Sequence, residues 1–108
     1  MKNEFGVKLD KNGYAPSVLN TEPGTCFICY RQTETARHEI FFGNAYRKKS
    51  KNLGAWVYLC PKCHERVHEK DCLYNYELKR IGEFYLMDHY GWNVDDFRER
   101  FGKNFGEE

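Results

Sequence analysis

The residues with the most restrictive spacing are two cysteine pairs. Cys26 and Cys29 form one Cys-x-x-Cys motif, and Cys60 and Cys63 form a second. A gap of two residues lets a tight turn aim both sulfurs at one ion, and zinc takes four thiolates tetrahedrally. The pattern predicts a structural Zn²⁺ site built from Cys26, Cys29, Cys60 and Cys63. Redox pairs, or four buried cysteines without metal, are the alternatives. Four thiolates close the metal's shell and leave no open position for chemistry, so the expected role is folding stability. Cys72 falls outside the pattern and reads as a small core residue.

Three of the four histidines lie close to this frame. His38 precedes the second pair, His64 directly follows Cys63, and His68 comes four residues later. On a helix an i, i+4 pair shares one face, a frequent metal-binding arrangement. A hairpin held against that helix by zinc would carry His38 towards both. The result would be a second site of three neutral imidazoles with open positions, suited to catalysis by a divalent ion. Two plainer readings stay open: polar residues on an exposed helix face, or a histidine replacing a cysteine as zinc ligand. His89 reads as an ordinary histidine at a helix C-terminus.

A third group is basic and aromatic. Tyr46, Arg47, Lys48, Lys49 and Lys51 form a dense run, with Asn44 just before it and Arg31 and Arg37 nearby. Lysine and arginine neutralise backbone phosphates, and tyrosine can stack on bases, so the run is a candidate DNA contact. A solvated loop is the competing reading. The formal net charge of +1 names no partner, so any affinity for nucleic acid must come from such a local patch.

The elements that must position these groups are short. With 108 residues the chain has room for one domain with a thin core, the size at which a staple is often needed. Aromatic residues at 17% and charged residues at 31% fit a folded chain and exclude a disordered one. No apolar run approaches a membrane span, and the first ten residues lack the hydrophobic stretch of a signal peptide. A reducing cytosol is therefore the expected location, where five cysteines favour metal or reactivity over disulfides.

Residues 1–24 read as an N-terminal extension with weak structure, broken at Pro16 and at Pro23-Gly24, although Val7, Leu9, Val18 and Leu19 could pack onto the core. The domain proper is expected over 25–108. Residues 37–42 and 55–59 read as strands. The polar, basic stretch between them, 43–54, reads as a long loop with at most a helical turn near Ala45. Pro61 suits the first position of a short helix running to about Lys70. A longer helix is expected over about Tyr74–His89, with Leu73, Tyr76, Ile81, Phe84 and Tyr85 on its inner stripe. Asn93 can cap a last helix with Asp95 and Asp96 in its first turn and Phe97 and Phe101 facing inward, ended by Gly102. The fold class is α+β.

The order Cys-x-x-Cys, then His38-Glu39-Ile40-Phe41, then Cys60-x-x-Cys63-His64 with His68, resembles the zinc-stapled HNH nucleases, also called His-Me finger or ββα-metal nucleases. The resemblance is nearer to small phage and prophage proteins of this type. Gly43-Asn44-Ala45-Tyr46-Arg47, Val57-Tyr58-Leu59-Cys60 and the tail from Phe97 to Phe105 extend it over roughly residues 25–105. It implies a ββα-metal core with additional C-terminal helices. It also implies that His38, His64 and His68 hold a divalent ion such as Mg²⁺ or Mn²⁺, and that the residue after His38 is the general base. Here that residue is Glu39, where such nucleases usually carry histidine. A carboxylate of ordinary pKa is a weaker base than imidazole near neutral pH. Shifting the register to make His38 the base would leave Arg37 as a ligand, which a guanidinium cannot be.

The resemblance thus implies a metal-dependent endonuclease that hydrolyses DNA phosphodiesters, with His38, Glu39 and His64 at its catalytic centre. The rival is a catalytically weak or inactive binding module of the same fold, acting on DNA or inhibiting a host defence protein. For a phage-encoded protein the location would be the host cytosol. A purely structural zinc domain in a phage assembly is a third possibility.

Overall fold

Two four-residue strands, β1 (Ala36–Glu39) and β2 (Trp56–Leu59), form an antiparallel hairpin on which everything else rests. The computed structural model describes residues 1–43, 45–69 and 72–106. In the hairpin His38 pairs with Val57 and Glu39 with Trp56. Successive side chains on a strand point to opposite faces. His38 and Val57 therefore face inward, where both are buried, and Arg37 and Glu39 share the other face with Trp56 and Tyr58. Strand β1 ends at Glu39, earlier than expected. Ile40 and Phe41 leave the ladder and enter the core, although the Ile40 N–H still donates to Ala55 O at 3.0 Å.

The stretch expected to be a loop contains a helix, α1 (Arg47–Leu53). Its charges conceal the pattern: Ser50 and Leu53, three apart, are buried, while Arg47, Lys48 and Lys49 face solvent. Ser50 closes the connection. Its hydroxyl accepts from Phe41 N–H at 3.1 Å and donates to Ala55 O. Gly54 ends α1 in the left-handed region at φ 88°, as a C-cap glycine does.

Helix α2 (Pro61–Arg66) begins with proline after the Cys60 cap, as expected, but stops at Arg66. His68 therefore lies in the following turn, its N–H donating to Glu65 O at 3.2 Å. Lys70, the expected end, is outside the described residues. Helix α3 (Leu73–Tyr90) buries a different stripe from the one expected. Leu78, Gly82, Glu83 and Leu86 face inward and, of the expected residues, Ile81 alone packs half-buried against the core, whereas Leu73 (70% exposed), Tyr76, Phe84 (65% exposed) and Tyr85 face outward. The reason is Gly82: a Cβ there would meet Ile40 at 3.0 Å, so the glycine lets the helix lie directly on the residues that follow β1. Helix α4 (Val94–Phe101) matches its expectation, with Asn93 and Asp96 forming a reciprocal capping box and Phe97 and Phe101 buried. Cys72 is half-buried at the start of α3 and is not part of the core.

Residues 1–24 are stitched to the hairpin. Trp56 Nε1 donates to Ala15 O at 2.7 Å and Ser17 Oγ to Trp56 O at 2.6 Å, while Tyr58 N–H donates to Thr21 Oγ1 at 3.0 Å. The segment so covers the outer edge of β2, whose backbone would otherwise be open to pairing with another chain. Leu19 joins the core and Val18 packs against it; Val7 and Leu9 are half-buried outside it. The tightest crossing is at Gly54, where an added Cβ would strike Pro16 O and also lie 3.3 Å from Val18 N. Gly54→Ala should therefore lower stability by about 2 kcal/mol or more. Urea unfolding checks this, and an unchanged midpoint would mean the segment is not clamped there.

Candidate metal centre and histidine cluster

Each half of the cysteine cluster is shaped by its own backbone. In the first knuckle Cys26 N–H donates to Arg31 O at 3.0 Å and Tyr30 N–H to Cys26 O at 2.9 Å. Tyr30 adopts φ 63° to close this turn, a conformation that non-glycine residues rarely take. Phe27 N–H donates to Tyr58 O at 2.9 Å, which docks the knuckle on β2. In the second half Cys60 caps α2, its sulfur accepting from Cys63 N–H at 3.5 Å. One sulfur from each of Cys26, Cys29, Cys60 and Cys63 lies within 4.8 Å of every other. A tetrahedral Zn–S₄ unit with bonds of about 2.3 Å has edges of about 3.8 Å. The Cys29–Cys60 sulfur separation is 3.8 Å. The cluster can hold a metal ion such as zinc.

Its electrostatics fit that role. Burial opposes ionisation of Cys26, but backbone N–H groups of Cys29, Cys60 and Ile28 outweigh it and bring the thiol down to about 6. Burial, followed by hydrogen bonds with the three neighbouring sulfurs, drives the Cys63 thiol well above its ordinary value. One ready thiolate beside a thiol that resists ionisation is the behaviour of crowded sulfurs lacking a counter-charge. A central cation would supply one.

The three histidines also converge. One ring nitrogen from each of His38, His64 and His68 lies within 4.8 Å of the others. The ring centroids are 5.2 Å apart for His38–His64 and 5.4 Å for both His38–His68 and His64–His68. His38 is only 2% exposed, and its Nε2 is buried with no hydrogen-bond partner among the described residues. A buried polar nitrogen is normally paired, so this orphan marks a place where a ligand fits. Burial, reinforced by the charges of His64, His68, Arg47 and Lys79, holds His38 down at about 3. Burial and His68 also lower His64, against the pull of Glu39. Both imidazoles are therefore neutral at pH 7, the form that binds metal.

Glu39 does not enter this triad through the strand, because it points to the opposite face. Its Oε2 accepts from Tyr14 O–H at 2.6 Å, and Arg47 Nε stands 3.6 Å from Oε1, beyond hydrogen-bond range. The carboxylate is 15% exposed, and its charge still acts on His64. Tyr14 is the partner that sequence reasoning missed. Burial and the adjacent carboxylate raise its phenol above the ordinary value, so it stays a donor. Nothing local in the sequence links residue 14 to residue 39.

The basic run divides in the structure. Arg37 pairs with Asp10 at 2.9 Å and lies over the rings of Tyr14 and Trp56 at 4.4 and 4.9 Å. Lys51 lies over Tyr14 at 4.8 Å. Lys49 donates to Arg100 O at 2.6 Å, and Tyr46 packs half-buried near Phe101. Lys48 is exposed on α1, as is Arg31 beside the first knuckle. Asn44 lies outside the described residues.

Fold and site together define a small α+β protein whose cysteine cluster, able to hold a metal such as zinc, sits beside a histidine triad in which His38 is buried, His64 half-buried and His68 exposed. Comparison with known proteins adds no relative: no family model, no curated protein and no solved structure matches the chain. Among the described residues no helix is long and apolar enough to cross a membrane.

Metal analysis tests the cluster. The purified protein is expected to carry one tightly held zinc per chain, and Cys63→Ser should release it and lower the unfolding temperature by more than about 10 °C. A chain that is metal-free as purified, and equally stable with strong chelator, would contradict a stapling role.

Proposed function

We propose that the chain is a metal-dependent endonuclease of the HNH (ββα-metal) type, acting on DNA in the cytosol of the cell that contains it. The observation that carries this reading is the convergence of one ring nitrogen from each of His38, His64 and His68 around a buried His38 whose Nε2 has no hydrogen-bond partner among the described residues. Three imidazole ligands leave open positions on a divalent ion, unlike the closed cysteine shell. In this reading the cysteines hold structural zinc, and the hairpin with α2 forms the ββα unit. His38, His64 and His68 hold Mg²⁺, Mn²⁺ or a similar ion. When bound, that ion supplies Lewis-acid stabilisation of the charge that develops on the leaving oxygen.

The chain's own groups supply the rest. Glu39, on the other face of β1 but near enough for its charge to act on His64, is the general base, taking the proton of the water that attacks phosphorus as the P–O bond to the leaving oxygen breaks. Tyr14 fixes one carboxylate oxygen and leaves Oε1 without a hydrogen-bond donor among the described residues, so Oε1 is the acceptor. Arg47, 3.6 Å away and largely exposed, meets the backbone phosphate, and Lys48 extends the positive surface of α1. The engagement of Glu39 by Tyr14 and Arg47 also favours a second reading, in which the fold binds DNA and cleaves it weakly or not at all.

Plasmid nicking distinguishes the two. With Mn²⁺ or Mg²⁺ the wild type should nick supercoiled DNA, and His64→Ala should reduce the rate on the order of 100-fold or more. Wild type that never nicks, yet binds DNA in a salt-sensitive manner, would establish the binding module and refute the enzyme.

A further inference from the structure

A cavity of about 320 Å³ opens beside the histidine triad, between the residues after β1 and the C-terminal tail. Its size is at the lower end for small-ligand sites. Phe42 is the shared wall: its ring lines the cavity and makes edge contacts with His38 at 5.8 Å and His68 at 5.1 Å. Phe41, Tyr46 and Phe105 supply further ring surface. Two ammonium groups stand over these rings. Lys79 Nζ is 4.6 Å from the Phe42 centroid and 5.5 Å from that of Phe105, and Lys103 Nζ is 5.1 Å from Phe105. Among the described residues neither lysine has a carboxylate partner. Burial and the charge of Lys103 lower the pKa of Lys79, and an anion placed beside Lys79 would offset both effects on it.

The cavity is built, not left over from loose packing. Glu83, itself buried, accepts from the N–H groups of Phe105 and Gly106, and Tyr76 O–H donates to Phe105 O at 3.2 Å. Those bonds hold the Phe105 ring in place. Gly102 keeps the opening clear, because a Cβ there would lie 2.6 Å from the Tyr46 hydroxyl.

Flat aromatic walls with cations at the rim suit a ligand that is both aromatic and anionic. We infer that this cavity receives one unpaired base of a DNA strand, with Lys79 and Lys103 on its flanking phosphates and the adjoining phosphodiester against the histidine triad. The inference rests on the nuclease reading and narrows it. DNA with a base already out of the stack, at a bulge, gap or flap, should be preferred over intact duplex, which must first pay for unstacking.

The test compares two labelled DNA duplexes of the same length, one fully paired and one with a single bulged nucleotide. Fluorescence anisotropy of the full chain should show the bulged DNA bound about ten-fold more tightly. Lys79→Gln should abolish that preference, as should Gly102→Val, which fills the opening. Thermal melts establish that each variant is folded, and Lys79→Gln stands alone if Gly102→Val is not. Equal binding of the two DNAs by wild type would overturn the inference, and so would a preference that survives Lys79→Gln. Parallel incubation with Mn²⁺ separates the two proposals. A Lys79-dependent preference without cutting upholds the cavity and refutes the enzyme. Cutting of both DNAs at equal rates with no binding preference does the reverse.

Discussion

Four sulfurs that lie within 4.8 Å of one another cannot all ionise without a positive charge among them, and the placement of every other functional group depends on how that crowding is resolved. Two of the sulfurs come from a knuckle docked on β2, and two from the junction of β2 with α2. A single ion at their centre would fix the angle between hairpin and helix. That angle decides whether His38, on the inward face of β1, meets His64 on α2 and His68 just beyond it. Few alternatives to such a staple exist in this chain. The strands have four residues each and α2 has six, too few to fix one geometry by packing alone.

The two clusters differ in composition and in burial. The thiols form a closed set of four in which one member is primed to ionise and another resists it. The imidazoles form a set of three, with His38 and His64 kept neutral by burial and by neighbouring imidazoles, and with one nitrogen orphaned in the interior. A closed set stabilises the fold, whereas an open set leaves room for a reacting group. Around the open set the chain provides a carboxylate steadied by Tyr14, an arginine on α1 and an aromatic cavity sharing the Phe42 wall. These parts come from distant segments, and the hairpin is the element they all touch.

Much of this organisation is legible in the residues themselves. Cysteine spacing is a local property, so the four-cysteine cluster can be read directly. So can the last helix, whose Asn93 cap and Gly102 stop are side-chain signals on either side of it. What cannot be read depends on tertiary contact. Helix α1 is concealed because most of its residues are charged, and only Ser50 and Leu53 reveal its inner face. The stripe on α3 is misread because two large apolar residues, Leu73 and Phe84, are on the outside, while a glycine is placed inward to admit Ile40. The contact between Tyr14 and Glu39 spans a segment that looks unstructured in sequence, yet that segment is held by the Trp56 indole donating to Ala15 O and by Val18 N–H donating to Gly54 O.

The central claim is that the staple is a tetrathiolate metal site, distinct from the histidine cluster. X-ray absorption at the zinc edge of the purified protein tests it most directly. The account predicts a single shell of four sulfurs at about 2.3 Å. A shell containing nitrogen or oxygen at about 2.0–2.1 Å would place zinc on the histidines instead, and the separation of stapling from chemistry would be wrong.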